Sequence, residues 1–199
     1  MALQPHLYPS GKEAGTDEAG RGCLAGPVFA AAVILPHLDP LEGLNDSKKL
    51  RRKERETWRQ YIESASVSWA VAFVLPEVID RINILQSSIL AMHQALEGLA
   101  VIPDRILVDG NRFLKFHNIE HQCIIGGDAK YLSIAAASVL AKTHRDAYML
   151  RIHEDYPMYG WDRNKGYPTP DHIRALRIHG PSPHHRLSFS VKGQTRMPF

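Results

Sequence analysis

Four acidic residues of this chain fall where an apolar stretch gives out, and their types and places suit chemistry at phosphate esters. Asp17 and Glu18 are adjacent in the segment Gly15-Thr16-Asp17-Glu18-Ala19-Gly20-Arg21-Gly22, Asp109 stands before Gly110, and Asp128 follows Gly126-Gly127. Carboxylates at the ends of neighbouring strands can converge, and in open α/β sheets that edge is where ligands bind. Gathered without a cation, they would raise one another's pKa and strain the fold. Mg²⁺ or Mn²⁺ resolves the conflict, because both take oxygen ligands. Two such ions roughly 4 Å apart can activate water and stabilise the leaving 3′ oxygen of an in-line displacement at phosphorus. Such a site needs no His or Cys ligand.

Each acid also has a plain structural reading. An Asp-Gly at a strand end is commonly a turn, and Asp128 can equally cap the helix that follows it. Asp17-Glu18 is the more specific pair because Gly20-Arg21-Gly22 comes next: Arg21 can hold a phosphate while the glycines let main-chain groups approach a ligand. Neighbouring strand residues face opposite sides, however. Both side chains reach one ion only if the strand bends there, or if Glu18 uses its main-chain carbonyl.

The elements that must position these acids alternate along the chain, which implies one compact α/β unit. Strands are expected over 14–17 and 28–35, joined by a Gly-rich turn and therefore antiparallel, and the continuous apolar run of the second suits a strand buried on both faces. Asn45-Asp46-Ser47 offers N-caps for a charged surface helix over 48–63. A strand over 67–75 leads to Pro76, which opens a long helix with Ile79, Ile82, Leu85, Ile89, Met92 and Leu96 on one face. Short strands over 105–108 and 123–125 end at Asp109 and before Asp128. The helix over 130–153 carries Ala135-Ala136-Ala137, small enough to lie close against a sheet. Beyond Tyr156 the chain turns to Pro, Gly and His with one short helix over 171–178. It is expected as a cap over a substrate groove, with 1–155 the catalytic part and 156–199 a segment of the same compact unit.

Composition narrows the partners. The 199 residues are 44% hydrophobic and 23% charged, enough apolar material for one good core, and 24 Lys+Arg against 21 Asp+Glu give +3, a mildly basic surface that permits a polyanion. Cys23 and Cys123 lie in no CxxC spacing, which excludes a disulfide framework and points to a reducing compartment. Residues 1–12 lack the apolar core of a signal peptide, and no apolar run approaches the roughly 18 residues of a membrane span, so the expectation is a cytoplasmic protein without membrane contact.

Read together, DEAGRG with its LAGPV continuation, NDSKKL (Asn45 to Leu50), LVDG, GGDAKYLSIAAASVLAKTHRD (Gly126 to Asp146), NKGYPTPDH and HHRLSF resemble ribonuclease HII, the type 2 ribonuclease H family. The resemblance runs through nearly the whole chain in the right order. It implies a ribonuclease H-like fold, a mixed five-stranded sheet flanked by helices with a small helical C-terminal portion. The implied activity is an endoribonuclease that hydrolyses the RNA strand of RNA/DNA hybrids and cuts 5′ of single ribonucleotides in duplex DNA. Two Mg²⁺ or Mn²⁺ ions would serve it, leaving 5′-phosphate and 3′-hydroxyl ends. By the same resemblance Asp17, Glu18, Asp109 and Asp128 are the metal-binding, catalytic acids. Gly20, Arg21, Gly22, Asn45, Ser47, Lys48 and Tyr167 are expected to bind the substrate, and a monomer is expected.

Only the 2′-hydroxyl separates RNA from DNA at such a site. The resemblance gives Tyr167 the task of reading it, by a hydrogen bond from the phenol and by stacking. Lys142, His144 and Arg145 are expected to grip substrate or to form a solvated face, whereas His184, His185 and Arg186 carry no role readable from spacing. Thr16 and Cys23 depart from the family's usual apolar and small residues without touching a proposed ligand. Rival readings are a ribonuclease H-like nuclease that cuts DNA, a nucleic-acid-binding module without catalysis, and a metal-dependent phosphatase for small molecules.

Overall fold

The computed structural model describes residues 3–8, 10–37, 44 and 50–190. The expectations for Asn45, Ser47 and Lys48 fall outside them. Five strands, β1 (Glu13–Ala19), β2 (Val28–Ile34), β3 (Ser68–Val74), β4 (Arg105–Asp109) and β5 (Glu120–Ile124), form one sheet in the order β3-β2-β1-β4-β5. β1 pairs antiparallel with β2, and β2 with β3, whereas β1 with β4 and β4 with β5 are parallel. The sheet is therefore mixed, as expected. All seven residues of β2 are buried because helices cover both faces. Val28, Ala30, Ala32 and Ile34 meet α2 (Pro76–Glu97), while Ala31 and Val33 meet α3 (Leu132–Asp155).

α3 lies tight against the sheet for the anticipated reason. Ala135, Ala136 and Ala137 are fully buried, and a Cβ at Gly15 would overlap the Ser133 main chain. α1 (Arg52–Ala65) begins later than anticipated, with the Arg51 N–H donating to Glu54 Oε2 at 2.6 Å in its first turn.

The single apolar face expected for α2 is corrected. Asn83 breaks the helix with φ 67°, and its Oδ1 accepts the N–H groups of Leu85 and Gln86 at 3.0 and 3.1 Å, capping the second segment from within. The break resets the helical phase. Ile79, Ile89, Met92 and Leu96 are buried, while Ile82 and Leu85 are only half buried. Each fully buried aliphatic side chain contributes about 1.5–3 kcal/mol.

β5 starts earlier than expected because its exposed Glu120-His121-Gln122 carries no apolar signal and is ordered by pairing with β4. A 3-10 turn at Gly127–Ala129 delays α3 to Leu132. The C-terminal portion holds more structure than one helix: a 3-10 turn at Pro157–Tyr159, α4 (Trp161–Asn164) and α5 (Pro170–His179). Gly160 and Lys165 take left-handed φ at either end of α4, so the periodicity is too short to read. Tyr159, Trp161 and Leu176 pack with Met149, Ile152, Leu24 and Ala25, joining this portion to α3 and to the loop after β1.

Candidate active site

Parallel pairing of β1 with β4 is what brings the first acids together. The register ends at Thr16 opposite Val108, so Asp17 and Asp109 are the next residues on adjacent strands that run the same way. Beyond Thr16, β1 is released from β4 and keeps only its β2 partner. The ladder to β2 runs on through Ala19, and Asp17 and Glu18 both line one cleft although adjacent. That cleft, about 470 Å³, is walled by Asp17, Glu18 and Asp109, by Gly20, Arg21 and Gly22, and by Arg55, Ser138, Lys142 and Tyr167.

The acids are locally restrained. Asp17 Oδ1 accepts the Glu18 N–H at 2.7 Å, and the Ser138 side chain also bonds to Asp17. Asp109 Oδ1 accepts the Gly127 N–H at 2.7 Å, and Arg21 donates to Glu18 Oε1 at 3.0 Å. Burial, then the charges of Glu18 and Asp109, hold the Asp17 carboxyl well above its ordinary pKa. Burial also raises Glu18, with Arg21 opposing and Asp109 adding. Asp128 is buried in the 3-10 turn beside Gly127 and is not part of the cleft wall. Among the described residues, no three His, Cys, Asp or Glu side chains are grouped to enclose a metal ion as they lie.

The structure gives one of the glycines a second reason to be there. At Gly20, with φ 94°, a Cβ would overlap the Arg145 guanidinium, so this glycine is needed to seat a buried arginine. Nothing lies near a Cβ built at Gly22, which does face open space in the cleft wall. Arg145 is not a grip on substrate. It is fully buried and donates to the carbonyls of Pro27 at 3.0 Å, Lys165 at 2.9 Å and Ala25 at 3.1 Å. His144 is likewise turned to Glu63 of α1, 2.9 Å away.

Arg186, for which spacing offered no role, does a parallel job. It donates to the carbonyls of Gly26 and Arg21, each at 2.9 Å, and burial lowers its pKa to about 10, which leaves it cationic at neutral pH. A guanidinium has five donors in a rigid fork, which suits the several carbonyls of a loop that forms no ladder. Main-chain bonds from Leu24 N–H to the Gly166 carbonyl and from Arg186 N–H to the Leu24 carbonyl, both 2.8 Å, complete the lacing. Sequence reasoning missed Arg55 and Ser138 as well. Ser138 had one signal, a hydroxyl on the sheet-facing side of an alanine-rich helix, whereas Arg55 had none.

Tyr167 stands at the cleft, 41% exposed, and burial, then Cys23, raises its phenol pKa. Lys142 Nζ lies 5.8 Å from the ring centroid. Behind it are two buried histidines whose partners dictate their tautomers. His172 Nδ1 is 2.9 Å from the Tyr167 carbonyl, which can only accept, so Nδ1 carries the proton. His172 Nε2 then accepts from Trp161 Nε1 at 3.1 Å and from His185 Nε2 at 3.1 Å. His185 Nδ1 accepts the Ser182 N–H at 2.9 Å, which leaves its proton on Nε2.

Both rings are thus neutral, with burial lowering His172 and burial and then His172 pushing His185 down to about 3. In the unfolded chain each titrates near 6.5, so below that pH the unfolded state binds more protons and stability falls. In urea unfolding His185 alone is expected to withdraw about 2 kcal/mol of stability between pH 7 and pH 5. A His185→Gln variant should show a flatter pH profile over that interval; an equal slope in both proteins would remove His185 as its source.

Comparison with known proteins agrees with this geometry. The family model for Ribonuclease HII matches residues 14–192. A ribonuclease HII of Porphyromonas gingivalis is 58% identical over 189 residues, covering 95% of this chain and 94% of that one. One of Bacteroides thetaiotaomicron is 55% identical over 195 residues, 98% of each. The crystal structure of ribonuclease H2 from Pyrococcus horikoshii superposes with a TM-score of 0.78 at 25% identity, over 89% of this chain and 93% of that chain. A mixed sheet ending in clustered acids, laced to a helical C-terminal portion, and a sequence alike from end to end lead to one conclusion: the chain belongs to the ribonuclease HII family and is a ribonuclease H.

Proposed function

We propose that this ribonuclease H hydrolyses the RNA strand of RNA/DNA hybrids and also cuts 5′ of single ribonucleotides in duplex DNA, with 5′-phosphate and 3′-hydroxyl products. The observation that carries the reading is a cleft with Asp17, Glu18 and Asp109 in one wall and Arg21, Arg55 and Lys142 around them. The acids alone would repel a nucleic acid; with hard cations between, the same wall attracts phosphate.

The donor set fits that role, since Asp17, Glu18 and Asp109 offer only carboxylate oxygens and the first two are held above their ordinary pKa by burial and by like charge. Asp128, one residue from the Gly127 N–H that fixes Asp109, is proposed as the fourth acid. Bound Mg²⁺ or Mn²⁺, as a pair, would supply an acidified water and charge neutralisation at the phosphoryl oxygens. Arg21, half exposed and paired with Glu18, is free to turn to a phosphate once that carboxylate is engaged elsewhere. The main chain at Gly22 and the Tyr167 phenol are offered to the 2′-hydroxyl, and Asn45, Ser47 and Lys48 to the flanking backbone. Removal of ribonucleotides from DNA, by a monomer in the cytoplasm, is the proposed setting.

The test is a set of duplexes, one with a lone ribonucleotide, one an RNA/DNA hybrid and one all DNA, each with Mg²⁺, with Mn²⁺ and with chelator. Cation-dependent cutting 5′ of the ribonucleotide and in the hybrid, with the DNA duplex intact, is the expected result. Cleavage of the all-DNA duplex, or of the hybrid alone, would overturn the finer reading. Tyr167→Phe is expected to lower kcat/KM at the lone ribonucleotide roughly five- to tenfold, the worth of one hydrogen bond, at unchanged melting temperature.

A further inference from the structure

The turn that presents Tyr167 is strained. Lys165 and Gly166 take left-handed φ of 50° and 83° in succession, a conformation that costs a non-glycine residue about 1 kcal/mol or more. The turn is fastened upstream of Tyr167: Arg145 takes the Lys165 carbonyl, Leu24 the Gly166 carbonyl, and the Asn164 carbonyl accepts the Tyr167 N–H at 2.9 Å. Downstream comes Pro168, which has no N–H to give, so the Tyr167 carbonyl is the polar handle of the next peptide. It accepts the Thr169 N–H at 2.8 Å and the His172 Nδ1–H at 2.9 Å. The first is a neighbour within the same turn. The second comes from α5, and through Trp161 and His185 it is anchored to α4 and to the segment after α5.

We infer that His172 is a positioning residue for substrate discrimination: its Nδ1–H holds the peptide plane after Tyr167 and so aims the tyrosine ring at the ribose. The inference rests on the proposed role of Tyr167. The backbone plane at 167 sets the direction of its Cα–Cβ bond and, together with the side-chain bond to Cys23, where the phenol of a half-exposed residue comes to lie. His172 itself is fully buried and lines no part of the cleft, so it acts through Tyr167 alone. Its fixed tautomer matters, because a proton on Nε2 instead would point at the N–H donors of Trp161 and His185 and leave a lone pair facing the Tyr167 carbonyl.

Two substitutions separate this role from ordinary packing. In His172→Asn the amide NH₂ occupies the place of Nδ1 and keeps the donor to Tyr167, but Trp161 and His185 lose their acceptor. In His172→Gln the amide oxygen occupies the place of Nε2 and keeps both of those partners, but the donor to Tyr167 is gone. Packing alone makes Asn the more damaging change in every assay. Positioning makes Gln the variant that loses cleavage at a lone ribonucleotide, by about tenfold in kcat/KM, with the RNA/DNA hybrid less affected, while Asn retains that selectivity despite a lower melting temperature.

Both variants are then built in a Tyr167→Ala background. Since His172 works through the ring, His172→Gln should cost nothing more there. A Gln variant as selective as the parent, or a loss undiminished in the Tyr167→Ala background, overturns the inference while the reading of Tyr167 stands. If Tyr167→Ala itself cuts lone ribonucleotides as well as the parent, that reading fails, and this inference with it. Should His172→Asn not fold, the comparison of His172→Gln across the two backgrounds decides alone.

Discussion

Asp17→Asn is expected to abolish hydrolysis, lowering kcat about 10³-fold or more, and at the same time to raise the melting temperature of the metal-free protein. Asp17 is only 4% exposed and shares its cleft with Glu18 and Asp109. Its raised pKa means that the folded state holds a proton more tightly than the unfolded chain does. Stability from this group is therefore present at low pH and is lost as pH rises from near 3.9 through the folded value. The wild type therefore carries more of the penalty the higher the pH.

Asparagine has the same shape, can still accept the Glu18 N–H through its oxygen, and bears no charge. The gain should be a few degrees, at roughly 2–4 °C per kcal/mol for a chain of this size, and it should shrink as pH is lowered towards 4. Added Mg²⁺ should reverse the ranking, because a ligand stabilises only the protein that binds it. Thermal unfolding of both proteins, in chelator and in Mg²⁺, checks every part. A variant that melts lower than wild type in chelator would show that the carboxylate is satisfied as it stands, and the case for a cation there would be lost.

Arg145→Lys should be the most damaging of the conservative changes, destabilising the protein by about 3–5 kcal/mol and lowering its melting temperature by roughly ten degrees or more. The guanidinium reaches three carbonyls at once, on Ala25, Pro27 and Lys165, from a fully buried position. An ammonium must reach from one nitrogen the carbonyls that the fork reaches from three, and it is the more strongly hydrated ion to bury. The consequences also reach the cleft. Gly20 packs directly on Arg145, and the Lys165 carbonyl fixes the turn that presents Tyr167. Activity should fall further than lost folded protein explains, which kcat per folded molecule at a temperature well below the transition measures directly. A lysine variant within about 1 kcal/mol of wild type would mean that the three carbonyls have other partners.

Particular elements show how far local pattern carries. β2 was legible because Val28 to Ile34 is apolar at every position, the mark of a strand covered on both faces. α3 was legible because small residues fall together on a helix that must lie close to a sheet. β5 was half missed because Glu120, His121 and Gln122 are exposed at the edge, where pairing with β4 rather than burial makes the strand. The phase shift in α2 was invisible because Asn83 reads as an ordinary polar residue on a helix until its side chain is seen to cap the turn after it.

The amino-acid sequence by itself determined the elements, the acids at their ends and the Gly-Arg-Gly beside them, since periodicity and adjacency are local properties. The tertiary structure alone decided that Asp109 comes to Asp17 through a parallel pairing, while Asp128 is buried and lines no part of the cleft. It also decided that Arg145 and Arg186 are buried and hold up the loops of the site. Their partners are main-chain carbonyls far along the chain. A carbonyl is present at every residue and so leaves no mark in the order of the side chains.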